Sequence, residues 1–189
     1  MRWQVCGAVA AAVVVSSLVV VGRASSFDSS AGDALSLHVW KTRHQMALLE
    51  GDQVLRTFRV ALGRDSSSSK IHRGDGRTPE GHYAIIEKRA QSRFHRFLAL
   101  NYPNLDDAER AFAQRLITVE EWADIFFASV RQERPPWSTP LGGDVGIHGY
   151  GERPLIPVDW TEGCIAVSNA DIDYLYDRLP VGTPVIITE

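Results

Sequence analysis

The sequence predicts a mostly β domain with helical insertions, and three patterns support this reading. Apolar residues alternate at period two soon after residue 34, turn residues punctuate the runs, and helical spacing is confined to one internal stretch and one short segment near the end. At 189 residues, 44% hydrophobic and 23% charged, the chain has room for one domain plus appendages. A net charge of −3 with no basic arm argues against nucleic acid as a partner, and the apolar content argues against disorder.

Residues 1–24 read as an export signal. Arg2 is the short positive region, Val5 to Val21 an uncharged apolar stretch of 17 residues, and Gly22 and Ala24 the small residues at positions −3 and −1 of a cleavage site. Such a stretch also stands at the short limit for a spanning helix, so two outcomes are open: cleavage after Ala24, or retention as a membrane anchor. Cys6 stands at the start of the apolar stretch instead of at its end, which argues against a lipoprotein anchor. Cleavage leaves 18 basic residues against 23 acidic, a net −5, and Cys164 as the single cysteine. In an oxidising compartment one leftover cysteine is a reactive thiol or half of an intermolecular bridge.

After a polar linker at 25–34, residues 35–189 form the domain. Leu35, Leu37 and Val39 alternate, as do Met46 and Leu48, and Val54 to Leu62 continues as a strand after a hairpin turn at Glu50-Gly51-Asp52. Arg64 to Gly81 is a long loop rich in Gly, Ser, Asp and Pro, a type that is functional or disordered in compact domains. His82 to Glu87 and Phe97 to Tyr102 are further strands. Residues 104–134 are a helical insertion of one or two helices. Thr118 and Glu121 fit a capping box there, and Val119, Trp122, Ile125, Phe126 and Val130 form an apolar stripe expected to contact the core. Asp144 to Gly149 and Cys164 to Val167 are short strands. Ser168 with Asp171 caps a last helix carrying Ile172, Leu175, Tyr176 and Leu179, and Val185 to Thr188 closes the chain as a strand.

The chemistry concentrates in Ile147-His148-Gly149 and Trp160-Thr161-Glu162-Gly163-Cys164-Ile165-Ala166. A thiol is a few per cent thiolate at neutral pH, and an imidazole within reach can take its proton. Cys164 and His148 on adjacent strands would give that geometry, and Gly163 permits a tight turn with N–H groups aimed at a developing oxyanion. A satisfied structural histidine is the competing reading of His148 on spacing alone.

The same residues resemble the YkuD-type L,D-transpeptidase catalytic domain, whose signature pairs H-G with S/T-x-G-C some fifteen residues later. His148-Gly149 and Thr161-Glu162-Gly163-Cys164 match it. Thr78-Pro79-Glu80-Gly81-His82-Tyr83 is similar to the family's T-P-x-G-x-[FY] element, Ser92 to Pro103 to the segment that follows, and Asn169 to Ile186 to its closing helix and strand. The resemblance runs from Leu35 to Thr188 and implies a β-sandwich or barrel-like catalytic domain. It implies cysteine acyl transfer on peptidoglycan stem peptides in the periplasm or cell envelope of a bacterium, forming cross-links from a tetrapeptide stem without metal or cofactor. Cys164 would be the nucleophile and His148 the base. Gly163 with Cys164 would donate to the oxyanion, and the Gly149 carbonyl would orient the imidazole, with Thr161 in the same motif. Hydrolysis of a stem or lipoprotein linkage, as carboxypeptidase or endopeptidase, is the alternative enzymatic reading, and a non-catalytic wall-binding module the alternative outside catalysis.

The chain departs from the family where many members carry Arg two residues after the cysteine and this one has Ala166. Lys70, Arg77, Arg93 and Arg153 are candidate replacements for a carboxylate contact. The insertion at 104–134 stands where many members have a short connection. His82 and His95 lie in matched segments, as second-shell or surface groups, and Trp160 is either a cleft wall or a core ring. No H-x-x-x-H pair or second mature cysteine supports zinc, and Gly74-Asp75-Gly76 lacks the helix and Lys-Ser/Thr of a phosphate loop.

Overall fold

The computed structural model describes residues 34–153 and 158–189, so residues 1–24, read above as an export signal, lie outside the described residues. The elements run β1 (Leu35–Trp40), β2 (Gln45–Glu50), β3 (Gln53–Arg59), β4 (Gly81–Ser92), β5 (His95–Leu100), α1 (Leu105–Ala113), α2 (Val119–Val130), β6 (Gly146–His148), β7 (Ile165–Ala166), α3 (Asn169–Arg178) and β8 (Pro184–Thr188). The strands form one sheet in the order β3-β2-β1-β8-β4-β5-β6-β7. Pairing is antiparallel except for β1 with β8 and β6 with β7. Beyond β3 the chain bridges back, Ala61 to Ala166 and Gly63 to Thr161, so the two ends of the sheet meet in a barrel-like closure.

That closure depends on a bent strand. Gly81 to Ala84 of β4 pairs with β8, while Ile85 to Ser92 pairs with β5 through register shifts between Ile85 and Glu87 and between Arg89 and Ser92. Such irregularities bend a strand and add twist. Inside lie Leu37, Val39, Met46, Leu48, Ile85, Leu98, Ile147 and Ile165, and α3 adds Ile172 and Leu175. Removal of this apolar surface from water is the main stabilising term.

The alternation in β1 and β2 and the Glu50–Gln53 hairpin agree with the sequence pattern. The run from Val54 to Leu62 does not form one strand. β3 ends at Arg59 with Val54 and Leu55 exposed, and Val60, Ala61 and Leu62 are buried in the crossing toward β7. The strands expected at 144–149 and 164–167 shrink to three and two residues, because Asp144 and Gly163 take positive φ and break the extended backbone on either side.

The insertion contains two helices, each opened by a capping box. Thr118 Oγ1 accepts from the Glu121 N–H at 3.2 Å, as the sequence indicates, and Asn104 Oδ1 accepts from the Asp107 N–H at 3.0 Å. The expected core contact of the α2 stripe requires correction, since Ile125 alone of its five residues is buried, while Val119 and Val130 are 54% and 67% exposed. The insertion builds a separate small core from Ala108, Ala111, Ile117, Ile125 and Leu141, which one turn-face of α2 satisfies.

Candidate active site

His148 ends β6 between two strands, opposite Phe97 of β5 and Ala166 of β7, and is 1% exposed. Its Nδ1–H donates to the Gly149 carbonyl at 2.6 Å, which fixes the tautomer and leaves Nε2 with a lone pair. Three rings enclose the imidazole. Phe94 stacks on it at 4.4 Å between centroids, Phe97 at 5.8 Å, and Trp160 meets it edge-on at 5.7 Å. Burial lowers the imidazole pKa to about 4, with the Arg93 charge lowering it further and the Gly149 carbonyl opposing.

Cys164 lies just before β7 and lines the same cleft, a space of about 520 Å³. Its Sγ donates to the Asp144 carbonyl at 3.6 Å. Burial pushes the thiol up to about 11, against an N–H bond from Gly146 and the charges of Lys70 and Arg89. With these shifts both the thiol and the imidazole are neutral at pH 7.

The turn before Cys164 is clamped. Thr161 Oγ1 donates to the Cys164 carbonyl at 2.6 Å and accepts from the Gly163 N–H at 3.1 Å. That engages the Gly163 N–H, which the sequence reading expects to be free as an oxyanion donor. Gly163 has φ +134°, and a Cβ there would stand 2.6 Å from the Arg77 carbonyl, so both conformation and space demand glycine. A Cβ on Gly149 would meet Asn169 Oδ1 at 2.4 Å and the Phe94 carbonyl at 3.0 Å.

The long loop backs this turn. Asp75 accepts from Lys70 Nζ at 2.7 Å and from the N–H groups of Ile71, His72 and Arg77, which together outweigh burial and hold its carboxyl at about 2. Lys70 and Arg77 are thereby committed, the first to Asp75 and the second to Asp65, and neither lines the cleft. Arg93 and Arg153 do line it. His82 and His95 are exposed, His95 bonding to Asp173 at 2.8 Å, while Trp160 forms a cleft wall. Ala166 is fully buried against Ala61, Tyr150 and Trp160, so no long side chain fits at its position. No residue of 104–134 lines the cleft.

Three cleft residues escaped the sequence reading. Phe94 sits with Arg93 at the two-residue tip of the β4–β5 hairpin, where Ser92 pairs with His95 and no Gly, Asn or Pro signals the turn. Arg89 pairs with Asp144 and lies over the rings of Phe97 at 4.4 Å and Trp137 at 5.7 Å. Asp144 has φ 56°, and its carbonyl receives the thiol. Alternating charge in a strand carries no mark of either role.

The YkuD family, described as the L,D-transpeptidase catalytic domain, matches residues 35–187. No curated protein sequence matches the chain. Among solved structures, the helical cell shape determining protein Pgp2 from Campylobacter jejuni is similar at TM-score 0.55 and 20% identity, over 83% of this chain and 49% of that one. Bd1075 from Bdellovibrio bacteriovorus is similar at 0.55 and 19%, over 85% and 50%. An Enterococcus faecium L,D-transpeptidase is similar at 0.50 and 12%, over 82% and 50%. The chain thus spans about half the length of these relatives, and at these identities the likeness is one of fold.

Proposed function

The chain belongs to the L,D-transpeptidase catalytic domain family, and from that premise we propose that it cross-links peptidoglycan stems by acyl transfer through Cys164. The observation that carries this reading is the shared cleft of Cys164 and His148, with Nδ1 of the imidazole tied to the Gly149 carbonyl and Nε2 left as a base. His148 Nε2 takes the thiol proton while Sγ bonds to the carbonyl of residue three of a stem tetrapeptide. The Cys164 N–H stabilises the oxyanion, and Thr161 holds that peptide unit in place. Collapse breaks the C–N bond, and terminal D-alanine leaves with the proton from His148, as in other acyl transfers run by one base. An amine of a second stem then attacks the thioester, gives its proton to His148, and restores the thiol.

Export through residues 1–24, by cleavage or as an anchor, belongs to the same reading, because the substrate lies outside the cytoplasm. Among the described residues no helix is long and apolar enough to cross a membrane. The test is incubation with muropeptides, scoring cross-linked dimers against shortened monomers. The expected product is dimer, and Cys164→Ala abolishes it while circular dichroism stays native. Undiminished product from that variant overturns the assignment, and shortened monomers alone transfer the reading to hydrolysis. A carbapenem adduct on Cys164 by mass spectrometry is the second expected result.

A further inference from the structure

We infer that Arg93 and Arg153 form a clamp that binds the terminal carboxylate of the departing D-amino acid, an inference that rests on the acyl-transfer reading above. The cleft carries five charged side chains, Arg89, Arg93, Asp144, Arg153 and Glu162. Two guanidiniums remain once the ion pairs are assigned. Arg89 holds Asp144, Glu162 is held by Arg64, and neither Arg93 nor Arg153 meets a carboxylate among the described residues. Both are exposed side chains that lie over aromatic rings instead. Arg93 lies 4.5 Å from the centroid of Phe94, and Arg153 lies 4.7 Å from that of Trp160. These are two of the three rings that enclose His148, and they contact each other at 5.6 Å. A guanidinium seated over a ring can still direct its N–H donors at a carboxylate.

The chemistry of the leaving group brings a carboxylate to this place. In a terminal D-alanine the amine and the carboxylate share one carbon, so the carboxylate carbon stands about 2.5 Å from the nitrogen that receives the proton from His148. The carboxylate must then fall among the side chains that surround the imidazole. Phe94, Phe97 and Trp160 offer no charge, Arg89 is taken, and Arg93 and Arg153 remain. Both arginines also border a neighbouring groove with Ser92, His95, Tyr150, Gly151, Glu152 and Asn169, so the clamp stands at the far wall of the cleft. Glu152 forms no ion pair with either arginine among the described residues. The buried Ala166 has no room for a cation, which places the charge for this contact on the hairpin tip and on the loop before residue 154.

The clamp predicts selectivity for a carboxylate one residue beyond the scissile bond. Binding to Cys164→Ala, by titration calorimetry, compares a stem tetrapeptide acid, its C-terminal amide and the pentapeptide acid. The tetrapeptide acid is expected to bind at least about tenfold more tightly than the other two. Arg93→Gln and Arg153→Gln in the same background are each expected to remove most of that difference while leaving affinity for the amide unchanged. Equal affinity for acid and amide, including no measurable binding of either, overturns the clamp, as does a variant that weakens both alike. Failure of the transpeptidase reading is distinguishable: muropeptides would then go unprocessed by the unsubstituted protein while Cys164→Ala still prefers the acid.

Discussion

The cleft and the helical insertion are both built around aromatic residues, yet they use them in opposite ways. Around His148, Phe94, Phe97 and Trp160 pack against the imidazole and against arginines that lie over their faces. In the insertion, Phe112 and Phe127 are 46% and 50% exposed, and the Phe112, Trp122, Phe126 and Phe127 rings contact mainly one another. The cleft draws rings from a hairpin tip, a strand and a loop brought together by sheet closure, whereas the insertion closes on its own small core. Rings in the first region set the proton chemistry by excluding water. In the second they line no part of the cleft.

Substitutions test that contrast, beginning with the cleft. Gly163→Ala forces a Cβ against the Arg77 carbonyl at a φ that L-residues rarely adopt, and displaces the adjoining Cys164. Turnover is expected to fall by about 100-fold or more, the usual cost of roughly 1 Å of misplacement, with the unfolding midpoint lowered modestly. Ile125→Ala should do the reverse. It empties a fully buried position in the insertion, is expected to cost about 2–4 kcal/mol in denaturant unfolding, and should leave kcat of the folded protein unchanged. A matching fall in kcat would show that the two regions are coupled.

The pH dependence of stability sharpens the contrast further. His148 has its folded pKa lowered to about 4 by burial, so its contribution is complete above about 6.5 and is lost as pH falls toward 4. Asp107, buried at the first turn of α1 beside Tyr83 and Arg110, has its carboxyl raised to about 6 by burial. Its contribution is complete below about 4 and is lost as pH rises through 6. The two slopes oppose between pH 4 and 6, each on the order of 2–3 kcal/mol. Asp107→Asn should remove one of them, so that denaturant midpoints measured from pH 4 to 6.5 climb more steeply with pH than those of the unsubstituted protein. Phe127→Ser, on the exposed face of α2, is expected to change stability by less than about 0.5 kcal/mol and turnover not at all.

Much of the fold was legible because its signals are local. Period-two apolar runs, the Gly51 turn, and the Thr118 and Ser168 caps each act within a few residues, and each appears where the pattern puts it. The α2 stripe misled because spacing identifies an apolar face and says nothing of whether a partner covers it. The run after Val54 misled because its last three residues are buried by closure of the sheet against residues about a hundred positions away.

The sequence by itself determined the family and the His148-Gly149 and Thr161-to-Cys164 motifs that carry it, since each is written in contiguous residues. Only the tertiary structure decided which cations line the cleft without a carboxylate partner among the described residues. Lys70 and Arg77 are consumed by Asp75 and Asp65, and Arg93 and Arg153 are left over the rings of the cleft. The physical reason is that a charge is available only after its neighbours are counted, and those neighbours arrive from separate strands and loops when the sheet closes.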